Sequence, residues 1–85
     1  MKIIISPRAE KELKKLSKIN QIAVARKIRC LKDAPCQEEK LKGYQNIFRV
    51  RVGEIRIIYR KISQEIYIIL IAHRKEVYEI LKRLF

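Results

Sequence analysis

The stretch Phe48 to Arg60, FRVRVGEIRIIYR, constrains this chain more than any other. Apolar residues occupy alternate positions on both sides of Gly53-Glu54, the period of a half-buried strand. A two-residue link with glycine where positive φ is needed closes two such runs into a hairpin. That turn makes Val52 and Ile55 neighbours, so Val50 opposes Ile57 and Phe48 opposes Tyr59. All six fall on one face, the one that packs on the rest of the domain. The other face opposes Arg51 to Arg56 and Arg49 to Ile58. Like charges directly opposed across a sheet cost from a few tenths to about 1 kcal/mol. A small domain gains no stability from such a pair, which marks the arginine face as a candidate functional site.

Eighty-five residues make one domain, residues 1–85, with a smaller buried fraction than a larger protein has. The charge balance is the second constraint. Twenty-one Lys and Arg against nine Asp and Glu give a net charge of +12, and that self-repulsion opposes compaction. It points to a polyanionic partner, nucleic acid first and an acidic protein second. The basic residues do not lie along one helix with a bulky aromatic face, which argues against a membrane surface. The apolar run that follows Met1 is too short for a signal peptide, and no segment approaches a membrane span. Cys30 and Cys36 flank a loop that contains Pro35. With one histidine and no second cysteine pair, they do not suggest a zinc site. The expectation is a cytoplasmic protein with reduced thiols and no metal or cofactor.

Around the hairpin, the chain reads as an α+β domain. Lys2 to Ile5 is a short strand. Ser6 and Pro7 then serve as N-cap and first helical residue. The first helix is expected to reach Lys18, with Ala9, Leu13 and Leu16 inward and Glu10 paired with Lys14. Asn20 is expected in a tight connection. A second helix follows over residues 21–32, burying Ile22, Ala25, Ile28 and Leu31, and stops at Asp33-Ala34-Pro35. Strands are expected over residues 45–52, 55–61 and 66–73. The last of these is apolar on both faces, as a covered strand is. An even-numbered turn around Ser63-Gln64 places Tyr67, Ile69, Ile71 and His73 on the arginine side. Tyr59 belongs to the core, and Tyr67 packs under the last helix. In that helix Val77, Ile80, Leu81 and Leu84 form an apolar stripe, with Tyr78 beside it. The order β-α-α-β-β-β-α gives a twisted, mostly antiparallel sheet of about four strands. A helical hairpin covers one face, and a short C-terminal helix ends the chain.

Read as an ordered set, these elements resemble the RelE/ParE superfamily of bacterial and archaeal toxins. The residues that carry the resemblance are Leu41-Lys42-Gly43, Phe48-Arg49-Val50-Arg51, Gly53, Arg56-Ile57-Ile58-Tyr59, and His73-Arg74 with Tyr78. The resemblance covers nearly the whole chain and implies the RelE-like microbial ribonuclease fold. It also implies a type II toxin that cuts mRNA in the ribosomal A site without a metal, the ribose 2′-OH attacking the scissile phosphate. On that pattern Arg49 and Arg51 contact the phosphate, Arg56 stabilises the transition state, and Arg74 acts near the leaving group. Tyr78 stacks on a base or accepts a proton, and His73 is the alternative base. Lys11, Lys14, Lys15, Lys18 and Lys42 are candidates for contacts to ribosomal RNA, the first four reading first of all as a solvated helix face.

The resemblance implies an acidic antitoxin as well, with Val77, Ile80, Leu81 and Leu84 as its contacts if it displaces the last helix. Two other functions compete. One is a ParE-like inhibitor that binds DNA gyrase without hydrolysing anything itself. The other is a non-catalytic basic module that binds nucleic acid. The basic set Arg49, Arg51, Arg56 and Arg74 with Tyr78 favours the ribonuclease.

Overall fold

Ser6 organises the start of the chain. In the computed structural model, which describes residues 2–32 and 38–84, its hydroxyl accepts from the Ala9 amide (3.0 Å) and donates to the Ile69 carbonyl (2.8 Å). Ser6 thereby ends strand β1, Lys2–Ile5, and caps helix α1, Pro7–Lys15. The helix stops before the expected Lys18, because Ser17 begins a new one. Its hydroxyl accepts from the Asn20 amide (3.3 Å), and the Gln21 side chain donates to the carbonyls of Lys14 (3.1 Å) and Leu16 (3.0 Å).

Helix α2 is therefore Lys18–Cys30, and Asn20 sits in its first turn, not in a connection. Its buried stripe is Val24, Ile28 and Leu31, with Ile28 and Leu31 inside as expected. Ala25 is only partly buried, and Ile22, expected inside, is 52% exposed. The expected stop at Asp33-Ala34-Pro35, and Cys36 with it, lie outside the described residues.

Four further strands complete the sheet: β2, Glu39–Lys40; β3, Ile47–Val52; β4, Ile55–Ile62; and β5, Glu65–His73. They lie in the order β1-β5-β4-β3-β2, with β1 parallel to β5 and all other pairs antiparallel. That is five strands where about four were expected. The extra one, β2, is two residues long and has no apolar alternation to announce it. The β3–β4 register is the one read from the sequence, including Arg51 opposite Arg56, and Gly53 takes φ +60° at the turn.

One irregularity has consequences for the site. Between Ile58 and Tyr59 the β4–β5 register slips, so that Tyr59 opposes Ile68 but Ile58 opposes Leu70, leaving Ile69 as a bulge. The start of α1 satisfies the backbone there. The Ser6 amide donates to the Ile68 carbonyl (3.0 Å), and the Ile71 amide donates to the Glu12 carboxylate (2.9 Å). Beyond the bulge every side chain changes face. Ile71 therefore joins the core under α1 and α2, together with Val50, Ile57, Tyr59 and Ile68. Leu70 and Ala72 turn to the other face, where they pack with Ile58 against Val77 and Leu81 of α3, Arg74–Leu84. Strand β5 is thus covered on both faces, as its composition indicated.

Candidate functional site

The register that opposes Arg51 to Arg56 builds a cluster of four arginines. Arg56 is its centre: the side chain is 9% exposed and Nη1 donates to the Gly53 carbonyl at 3.3 Å. Burial pushes the Arg56 pKa below its ordinary value. The charges of Arg51, Arg49 and Arg74 push it further down, and only Glu54 opposes them. An arginine remains protonated at neutral pH even so. A buried cation ringed by three others, with no carboxylate in contact with Arg51 or Arg56 among the described residues, is a site that favours an anion.

The other two arginines of the cluster are held by neighbours. Arg49 donates one guanidinium nitrogen to Glu39, its register partner on β2, and another to the Tyr78 hydroxyl. Its guanidinium carbon lies 5.9 Å from the centroid of the Tyr78 ring. Tyr78 itself is exposed on α3. Arg74 begins α3. Its amide donates to the Glu54 carbonyl (2.9 Å) and its Nε faces the Glu54 carboxylate at 3.7 Å. These contacts tie the hairpin tip and strand β3 to the last helix.

His73 does not join this face. It is the last residue of β5 and opposes Ile55, whose side chain is part of the core under α1 and α2. The bulge at Ile69 reverses the parity that placed Ile71 and His73 beside the arginines. Tyr67, before the bulge, keeps its expected side and lies under the Arg60 guanidinium at 5.4 Å.

Lys11, Lys14, Lys15 and Lys18 are exposed along α1 and the start of α2, with Lys14 paired to Glu10 at 3.4 Å; Lys42 is exposed in the turn before β3. Of the apolar stripe on α3, Val77 and Leu81 are buried against the sheet, Ile80 is partly buried and Leu84 is exposed. A partner reaches Val77 and Leu81 only by displacing α3.

A cleft of about 760 Å3 opens beside Arg49, Arg51 and Arg56 and is further lined by Lys27, Glu38, Glu39, Gly53 and Glu54. The sequence did not single out Lys27 or the three glutamates. Lys27 is one of many basic residues on a helix. The glutamates take their places through tertiary pairing, which leaves no periodic signal in the sequence.

Glu38 anchors the cleft wall. Its carboxylate accepts from the buried Tyr59 hydroxyl and from Lys61 Nζ (2.8 Å), and Lys61 lies 4.9 Å from the Phe48 ring centroid. Burial raises the Glu38 pKa, but the hydrogen bonds from Lys61 and Tyr59 and the Lys61 charge outweigh it. The group sits below its ordinary value of 4.5. A carboxylate depressed in the folded state contributes stability above its unfolded pKa and loses it as the pH falls through the folded one. Wild-type protein should therefore melt higher than Glu38→Gln at pH 7, with the difference shrinking below about pH 4.5. Thermal melts between pH 7 and 3 check this, and a constant difference would refute it.

Among the described residues, no three His, Cys, Asp or Glu side chains converge as a metal site requires. Among the same described residues, no helix is long and apolar enough to cross a membrane.

A family model places this small basic chain in the RelE/ParE toxin superfamily, and solved toxins share its fold. The chain belongs to the family of ParE toxins of type II toxin–antitoxin systems (parDE), whose model matches residues 3–78. Solved structures share the fold. The RelB–RelE antitoxin–toxin complex of Methanococcus jannaschii superposes with a TM-score of 0.76 at 24% identity, covering 91% of this chain and 96% of that one. The isolated Escherichia coli RelE toxin gives 0.71 at 24% identity, with 98% and 97% covered. The intact E. coli RelBE complex gives 0.74 at 21%, with 84% and 93% covered. A search of curated proteins found no significant match.

Proposed function

We propose that this toxin is an endoribonuclease that cuts mRNA on the ribosome at the arginine face. The observation that carries the reading is Arg56, a buried cation with three arginines acting on it and no carboxylate in contact among the described residues. The reaction that suits it is attack of a ribose 2′-OH on the adjacent phosphorus. The new P–O2′ bond forms as the P–O5′ bond breaks. The electron pair leaves on O5′, and the products are a 2′,3′-cyclic phosphate and a 5′-hydroxyl end. Negative charge on the phosphorane oxygens rises in the transition state, where Arg51 and Arg56 stabilise it. Tyr78 is the better placed of the two candidate bases. Its hydroxyl accepts from Arg49 on the arginine face, whereas the register puts His73 on the opposite face. Solvent protonates the leaving oxygen, since an arginine is too weak an acid to do so.

The acidic partner fits the same picture. The RelE chains of similar fold occur in complexes with an antitoxin, and a chain of net charge +12 suits an acidic antitoxin of its own. A second reading, inhibition of DNA gyrase by binding, is favoured by the matched family, whose description is ParE toxin. Purified ribosomes programmed with a short mRNA distinguish the two. The ribonuclease reading expects fragments with 5′-hydroxyl ends from the mRNA in the A site; intact mRNA, together with inhibited gyrase supercoiling, would favour the other.

A further inference from the structure

The cleft beside the arginine face also reaches helix α2, because Lys27 lines it together with Arg49, Arg51 and Arg56. Four cations and three carboxylates make up its charge pattern. Each carboxylate already has a cation: Glu38 has Lys61 at 2.8 Å, Glu39 has Arg49, and Glu54 has Arg74 at 3.7 Å. Lys27, Arg51 and Arg56 have no carboxylate partner among the described residues. The unpaired charge therefore lies on two separate elements: the β3–β4 hairpin carries Arg51 and Arg56, and α2 carries Lys27. Helix α2 packs against β3 from the core side, opposite the arginine face, and the cleft is lined from both elements. A cleft of about 760 Å3 is larger than one phosphate needs.

We propose that this cleft takes a single-stranded polynucleotide at two phosphates, the first on Arg51 and Arg56 and a neighbouring one on Lys27. The inference rests on the ribonuclease reading for the identity of the ligand, but it concerns a residue outside the reacting set. Lys27 is a substrate-binding residue that holds the strand away from the scissile bond. Its compact ammonium suits a phosphate met as a point charge, while Arg51 and Arg56 offer planar forks to the reacting group. The consequence is a minimum substrate length. A nucleoside monophosphate fills only the arginine end, and an oligonucleotide fills both ends.

Binding to the free protein tests this without catalysis. The probes are a fluorescent oligoribonucleotide with 2′-O-methyl sugars, which cannot be cut, and a nucleoside monophosphate. Each is titrated against wild type and Lys27→Ala across a range of salt. Losing one phosphate contact on a single strand should flatten the slope of log K against log salt by about 0.7, so that each tenfold in salt weakens the variant roughly fivefold less than wild type. Oligonucleotide affinity should fall in Lys27→Ala, and more in Lys27→Glu, while monophosphate affinity stays at the wild-type value. Equal melting temperatures for wild type and Lys27→Ala show that the fold is kept. An unchanged slope, or an equal loss for both probes, overturns the role of Lys27 and leaves the ribonuclease reading standing, provided that Arg51→Ala still weakens both probes. If wild type binds neither probe, the two-phosphate proposal fails, and cleavage on programmed ribosomes still decides the ribonuclease reading.

Discussion

Replacing Arg56 by methionine should sharply slow RNA cleavage and raise the melting temperature in the same protein. Arg56 is 9% exposed, directly opposes Arg51, and is acted on by three like charges. Removing its charge relieves an opposed pair worth up to about 1 kcal/mol, which in a domain of this size moves Tm up by about 4–8 °C. Methionine keeps the length of the side chain and adapts its packing to the surroundings. The lost hydrogen bond to Gly53 is long, at 3.3 Å, and lies at a hairpin tip where water can replace it. Removing one stabiliser of transition-state charge should slow cleavage about 10²–10³-fold. Arg56→Lys should be intermediate, because it keeps the charge and loses the planar fork. Cleavage rates on programmed ribosomes and thermal melts of the same preparations give both numbers. Lower stability with reduced activity would make Arg56 a structural residue, and full activity would remove it from the site.

Leu81→Ala carries the largest expected loss of stability. Leu81 is 2% exposed and packs, with Val77, against Ile58 and Leu70 on the face that carries the arginines. Truncating a buried leucine costs about 2–5 kcal/mol. A domain of this length has about 4–13 kcal/mol in all, so the variant should sit near its unfolding threshold. The effect also reaches the site. Leu81 seats the helix that presents Tyr78 to Arg49 and Arg74 to Glu54. Leu84→Ala is the control, because Leu84 is 45% exposed and its truncation should change stability by about 0.5 kcal/mol or less. Denaturant midpoints for the two variants should therefore separate widely. Equal midpoints would mean that α3 is not held by this stripe.

The arginine face was legible before any coordinates because a two-residue turn fixes register, and register fixes faces. Phe48 opposite Tyr59 and Arg51 opposite Arg56 both follow from Gly53-Glu54 alone. The same reasoning failed for Ile71 and His73. Parity carries along a strand only while the ladder is regular, and the bulge at Ile69 is stabilised from far away in sequence, by Ser6 and Glu12. Helix α2 illustrates a different limit. The apolar residues 22, 25, 28 and 31 and the residues 24, 28 and 31 both fit a helical stripe. The fold buries the second set, leaving Ile22 outside. Glu39 and Lys27 were invisible for a third reason. A two-residue strand has no period, and one lysine among 21 basic residues stands out only when a cleft wall does.

The arginine cluster also explains what its position costs and returns. Arg49 and Arg74 each lean on a glutamate, so half of the cluster is partly neutralised before substrate arrives. Arg51 and Arg56 have no such partner among the described residues, and a phosphate that bridges them would remove the repulsion built into the hairpin. On the ribonuclease reading the repulsion marks a site held ready for an anion, and the two apolar cores on either side of the sheet keep the arginines in place.

The central claim is that this face cuts translated RNA. The most direct measurement maps 5′-hydroxyl ends on one mRNA, with and without a start codon, in cells that express wild type or Arg56→Met. The account predicts new ends at codon positions in the translated copy with wild type, none in the untranslated copy, and none with the variant. Intact mRNA accompanied by double-strand DNA breaks, equally in wild type and variant, would contradict it.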